Sequence, residues 1–212
     1  MNDDIFIVGV DPSLSLTGII VLKNGELHKE HIIDTRKMQD KGPKRLMYIR
    51  DEFKKFLDIT PVIDLLTYEN YSYGSKNRTL AYTIGELGGV LKLAMFERGL
   101  SYLVISPKSA QKFILGGNEM KDVKSQDKKS LTAKEVLKRY KKDFYSLDLI
   151  DAYVLAQLGW AMYCLRNKME IKLHSWQQES IAKIEETIAE KLKKKEKKKR
   201  KTKQVSEEED IL

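Results

Sequence analysis

Four carboxylates in this chain stand where an acid is costly: Asp11, Glu69, Asp148 and Asp151. Asp11 closes the apolar run Ile5-Phe6-Ile7-Val8-Gly9-Val10, and Glu69 closes a second run that begins at Val62. Asp148 and Asp151 open the apolar stretch 147–156. An acid at the end of a buried strand, or on a buried helix, costs free energy unless a cation meets it. A shared divalent metal site explains all four at once. Hard ions such as Mg²⁺ take oxygen ligands, and two of them can clamp both sides of a phosphodiester displacement. Asp148 and Asp151 lie about 60° apart in helical projection, so one helix can turn both toward a single point. Singly, each acid also has a plainer reading. Asp11 and Glu69 could end strands in turns, Asp148 could be a helix N-cap, and Asp151 could face the helix dipole.

The elements that carry these acids follow from apolar periodicity. Residues 5–11 and 16–22 read as strands, and Lys23-Asn24-Gly25 turns the second into a hairpin with 27–34. After Gly42-Pro43, residues 43–56 have helical spacing through Leu46, Ile49, Phe53 and Phe56. A strand over 62–69 leads into a polar loop, 70–77, with two tyrosines. A helix over 79–98 carries Gly85, Gly88 and Gly89, which weaken it but let another backbone approach. A short strand, 102–106, precedes a helix that starts at Pro107 and stops at Gly116-Gly117. Residues 118–129 read as irregular, and 130–140 and 147–165 as helices. From 175 an amphipathic helix places Ile181, Ile184, Ile188 and Leu192 on one face. Three strands in a meander followed by alternating helices and strands predict an α/β fold, an RNase H-like mixed sheet flanked by helices. The expected domains are a nuclease domain over 1–170, a C-terminal helix over 171–192, and a disordered basic-then-acidic tail over 193–212.

Composition narrows the function classes. The 212 residues carry a net charge of +8, but residues 191–203 alone carry +9 and residues 204–212 carry −4. The remaining body is only weakly basic, so the high pI belongs to the tail. The single cysteine, Cys164, excludes an intramolecular disulfide and reads as a buried thiol. His28, His31 and His174 have no metal-ligand spacing and read as surface residues. No signal peptide and no membrane-length apolar run is legible, which leads us to expect a cytoplasmic protein.

The segment Gly9-Val10-Asp11-Pro12-Ser13-Leu14-Ser15-Leu16-Thr17-Gly18 resembles the opening motif of RuvC-type Holliday junction resolvases. Tyr68-Glu69, the Gly85-x-x-Gly88-Gly89 helix, Ser106-Pro107 and Asp148-x-x-Asp151-Ala152 follow in that family's order. The resemblance runs from about residue 5 to 165. It implies an RNase H-like fold and a catalytic, metal-binding set of Asp11, Glu69, Asp148 and Asp151. It also implies Mg²⁺ or Mn²⁺, two ions per site, and a homodimer that makes paired nicks leaving 5′-phosphate and 3′-hydroxyl ends. Branched DNA is the implied partner: four-way junctions, with forks and flaps as related substrates. The Ser13 variant, the short body and the lysine-rich tail are most similar to bacteriophage members. Ser72 replaces the family's aromatic wedge and is flanked by Tyr71 and Tyr73. The family's basic residue after the proline falls at Lys112 only with a one-residue shift, and a lysine preceding the late helix maps to Lys128 or Lys129.

The DNA-binding candidates are Tyr71 and Tyr73 for base stacking, and Lys76, Arg78, Lys108, Lys112, Lys128 and Lys129 for phosphates. Each cation also fits a solvated surface. The lysine run reads as a non-specific DNA-binding segment, and the acidic end as a docking peptide for a protein partner or a mask for that run. Two rivals use the same residues. An actin-like or sugar-kinase-like ATPase would need a second Asp-Gly phosphate motif and an adenosine-binding glycine motif, and neither is legible. A non-catalytic junction-binding protein would gain by replacing acids that repel DNA.

Overall fold

The computed structural model describes residues 4–60, 62–70, 78–116 and 125–209, with backbone alone for 78–81, 125–126 and 197–209. Five strands form one sheet in the order β3-β2-β1-β4-β5: β1 (Phe6–Asp11), β2 (Leu16–Lys23), β3 (Glu26–Asp34), β4 (Leu65–Glu69) and β5 (Tyr102–Ile105). The meander β1-β2-β3 is antiparallel, and β4 and β5 add in parallel beside β1. Asn24 and Gly25 both take positive φ, 51° and 85°, as the tight hairpin between β2 and β3 requires.

Helices cover both faces of the sheet. One face packs on α1 (Pro43–Asp58) and α2 (Arg78–Glu97) through Val8, Val10, Leu66, Tyr68, Phe53 and Leu91. The other packs on α5 (Leu147–Arg166), with α3 (Pro107–Leu115), α4 (Ser125–Tyr140) and α6 (Ser175–Glu209) outside it. Strand alternation decides which residues face α5. On β1 these are Ile7, Gly9 and Asp11, and on β4 they are Leu65, Thr67 and Glu69. The two acids therefore share the α5 side of the sheet.

Glycine sets how close α5 can lie. A Cβ on Gly9 would stand 2.2 Å from the Ala152 carbonyl oxygen, and one on Gly18 would stand 2.3 Å from that of Asp148. Only bare backbone at these two positions lets the first turns of α5 rest on β1 and β2. Thr67 adds a buried tie, donating its hydroxyl to the Leu155 carbonyl at 2.9 Å. Nearly every position of α5 from Leu149 to Cys164 is buried, Cys164 among them, so this is the central helix of the molecule.

Several boundaries differ from the sequence reading. Strand β4 begins at Leu65, and Val62 is 82% exposed; Asp64 instead accepts the Phe6 amide at 2.8 Å. Helix α4 begins at Ser125, because 125–129 contains good helix formers and no breaker. Helix α6 runs on to Glu209 rather than ending near 192, through a Lys/Glu/Arg run without glycine or proline. Its Ile181 and Ile184 are 3% and 8% exposed within the core that includes Phe113 and Ile114. Among the described residues no backbone seats on Gly85 or Gly89, where an added Cβ would meet nothing within 4 Å. His31 is half-buried and stacks on Phe56 with ring centroids 5.4 Å apart, whereas His28 and His174 are exposed. No helix among the described residues is long and apolar enough to cross a membrane.

Candidate active site

The acids meet at one end of the sheet. The parallel register Val10↔Tyr68 brings the next residues, Asp11 and Glu69, side by side on neighbouring strands. Helix α5 starts above them. Ser146 is its N-cap and accepts the Asp148 amide at 3.2 Å, so capping falls to Ser146 and leaves Asp148 free for another task. The Ser146 hydroxyl donates to Asp148 Oδ2 at 2.9 Å, which fixes the carboxylate's direction. One turn on, Asp151 faces the same opening.

A cleft of about 280 Å³ collects all four acids. Ser13, Pro107, Ala110, Gln111, Ile114, Lys129, Thr132 and Val154 complete its wall. Asp11 is the deepest of the four, 7% exposed. Burial pushes its carboxyl well above the usual carboxylate range, and the charges of Glu69, Asp151 and Asp148 push it further. Burial also raises Glu69, opposed by its hydrogen bond with Asp11 and by the charge of Lys129. Asp151 is raised by burial and held down by Lys129, whose Nζ stands 3.2 Å away. Lys129 is the one cation in the cleft among its described lining residues.

The donor set is four carboxylates, which is hard-oxygen chemistry suited to Mg²⁺ or Mn²⁺. Crowded anions with raised pKa values are what a cation would relieve. Among the described residues no three acids yet stand at coordination spacing. The acids are gathered in one cleft, and Lys129 supplies part of the neutralising charge.

The other candidates divide. Lys129 lies in the cleft on α4, whereas Lys128 does not line it. Lys108 and Lys112 lie on α3 but line a different groove, shared with α6. Tyr71, Tyr73 and Lys76 lie outside the described residues, as does the side chain of Arg78. Gln111, Thr132 and Ser146 were not singled out from the sequence. The spacing Pro107, Ala110/Gln111, Ile114 is one helical face, so α3's role as a cleft wall was open to a periodicity argument.

A family model described as "Crossover junction endodeoxyribonuclease RuvC" matches residues 7–157. A protein of that name from Caldicellulosiruptor saccharolyticus is 31% identical over 116 residues, covering 52% of this chain and 68% of the relative. The fold is similar to that of Thermus thermophilus RuvC in complex with a Holliday junction substrate, with TM-score 0.60 and 17% identity over 77% of this chain and 96% of the other. A second Thermus thermophilus RuvC structure gives TM-score 0.58 and 18% identity over 78% and 98%. These bacterial relatives lend no support to a bacteriophage origin.

Proposed function

The chain belongs to the RuvC family of crossover junction endodeoxyribonucleases, which resolve Holliday junctions, and from that premise we propose how its own residues do the work. Family membership also implies dependence on a divalent metal. The observation that carries the reading is the convergence of Asp11, Glu69, Asp148 and Asp151 from β1, β4 and α5 on one cleft.

In this proposal the four acids hold two Mg²⁺ or Mn²⁺ ions. Asp11 and Asp148 would hold metal directly, and Glu69 and Asp151 would complete the site or orient water. Divalent ions held there would supply an activated water and neutralise charge on the scissile phosphate. Ser146 keeps the Asp148 carboxylate aimed by its hydrogen bond. Lys129 holds Asp151 in the resting protein and turns to the phosphate when DNA arrives, where an ammonium stabilises developing negative charge. Ile114, Ala110 and Val154 give the cleft a low-dielectric floor, which strengthens these interactions. The products are 5′-phosphate and 3′-hydroxyl ends.

Paired nicks need two active sites, hence a homodimer. The exposed face of α2 supports this: Tyr82, Leu93 and Phe96 are 74%, 52% and 78% exposed and share a stripe with Gly85 and Gly89. That spacing suits close approach of a second α2. Four-way DNA junctions are the substrate, with forks and flaps as further ones, in the cytoplasm. Tyr71 and Tyr73 stack on bases opened at the crossover, while Lys76, Arg78 and Lys128 track phosphates. Residues 1–170 form the catalytic body, and the terminal acidic residues dock a protein partner.

The test is cleavage of labelled four-way junction, fork and linear duplex with Mg²⁺, Mn²⁺ or EDTA. Metal-dependent, paired cutting of the junction supports the proposal. Cutting of linear duplex at the same rate, or cutting in EDTA, contradicts it.

A further inference from the structure

Helix α3 has a second face, turned away from the acid cleft. Between it and α6 runs a groove of about 460 Å³, lined by Ser106, Lys108, Ser109, Lys112, Ser180, Lys183 and Thr187. Among the described residues three cations and four hydroxyl groups line it, and no acid does. Its walls are fixed. Ser180 is 2% exposed and donates its hydroxyl to the Ser109 carbonyl at 3.2 Å, while Ile181 and Ile184 anchor α6 in the core below. One acid stands at the edge: Glu179, 68% exposed, pairs with Lys112 at 3.5 Å. An exposed pair of this kind is weak and readily exchanged for another anion.

Resting on the functional reading above, we propose that the α3–α6 groove holds the phosphates of one duplex arm of the DNA, with Lys183 of α6 as a contact that the family-matched residues do not supply. The match ends at residue 157, whereas α6 begins at Ser175. The distance suits the task. Gln111 and Ile114 line the acid cleft while Lys108 and Lys112 line the groove, so the two sites lie on opposite faces of one helix. A helix with side chains is about 10–12 Å across, which is roughly three base-pair steps of rise along a duplex axis. An arm whose scissile phosphate enters the cleft therefore carries phosphates over the groove. Lys108, Lys112 and Lys183 meet the charge, and the Ser106 hydroxyl stands beside them at the N-cap of α3, a kind of group that contacts duplex backbones. Beyond Thr187 the helix continues in the same direction with Lys191, Lys193, Lys194 and Lys195 exposed.

The test is binding of a four-way junction by the full-length chain in EDTA across a salt series, for Lys183→Ala and Glu179→Gln. Loss of one phosphate contact lowers the slope of log affinity against log salt by about 0.9 and weakens binding roughly fivefold near physiological salt. Lys183→Ala is expected to do both. Glu179→Gln is expected to tighten binding, because it frees Lys112 and removes an anion from the groove's edge. Opposite shifts from neighbouring residues on one helix cannot come from general misfolding. An unchanged affinity and slope for Lys183→Ala, or shifts of the same sign in both variants, would overturn the proposal. These arms are read in EDTA, so they decide the groove whether or not the protein cuts; cleavage with Mg²⁺ decides the functional reading separately.

Discussion

The two faces of α3 look onto regions of opposite charge and opposite burial. Toward Pro107, Ala110, Gln111 and Ile114 lies a cleft of four crowded acids, the deepest 7% exposed. Toward Ser106, Lys108, Ser109 and Lys112 lies an open groove of lysines and hydroxyls. The crowded acids of the cleft repel one another and raise one another's pKa values, a cost to the chain that the proposed metal chemistry would account for. The groove, as proposed, attracts DNA, and its exposed lysines cost the fold little. Catalysis and affinity should therefore separate, side by side on one helix.

The sharpest break in that comparison is Asp11→Asn or Glu69→Gln. Losing a metal ligand forfeits several kcal/mol of transition-state stabilisation, so we expect cleavage to fall by at least about 10³-fold. Junction binding should persist or tighten, because affinity comes from the cationic surface. Near-normal cutting in Mg²⁺ by either variant would dismiss the four-acid site. Next in size is Lys129→Met, expected to slow cleavage by about 10²-fold, the scale of one charge-stabilising donor. Single-turnover rates at saturating protein would isolate that step, and a change confined to affinity would make Lys129 an ordinary phosphate contact.

The groove side predicts a smaller effect. Ending the chain after residue 190 removes the +9 segment and the acidic terminus. Junction affinity should drop about tenfold and its salt dependence flatten, while cleavage at low salt stays near normal. An unchanged salt slope would mean that the run does not touch DNA. Ending it before Ser175 is a different experiment. It removes Ile181 and Ile184 from the core, each worth about 2–5 kcal/mol, and should lower the melting temperature sharply.

The smallest effect is on stability against pH. The folded-state pKa values of Asp11, Glu69 and Asp151 are raised above their ordinary 3.8 to 4.5. Between the ordinary and the raised values the folded state binds more protons than the unfolded one, so stability falls as pH rises through that window. The metal-free protein should melt lower at pH 8 than at pH 5. Added Mg²⁺ should erase the difference by neutralising the acids, and Asp11→Asn should reduce it without metal. Calorimetric melts at the two pH values would check this; a metal-free protein equally stable at both would contradict the crowding account.

Much of this was legible in sequence because burial leaves a plain mark. An acid ending an apolar run is visible at Asp11 and Glu69, and the Asn-Gly turn announced the hairpin. Glycine was harder to read, since its signal does not say what approaches. Gly9 and Gly18 seat α5, whereas Gly85 and Gly89 have no described neighbour within 4 Å of an added Cβ. Charged helices hid best. Residues 125–129 and 193–209 read as irregular because they are polar, yet without glycine or proline polarity does not stop a helix. The groove could not be read at all. Lys183 and Lys112 are 71 residues apart, and only tertiary packing, Ser180 on Ser109 and Ile181 and Ile184 in the core with Phe113 and Ile114, brings their helices together.

The central claim is that Asp11, Glu69, Asp148 and Asp151 form one divalent-cation site. Calorimetric titration of Mn²⁺ into the metal-free full-length protein tests it without depending on cleavage. The account predicts saturable binding of two ions per chain to the native protein, and loss of that binding in both Asp11→Asn and Asp148→Asn. Binding of native strength and stoichiometry in either variant would contradict it.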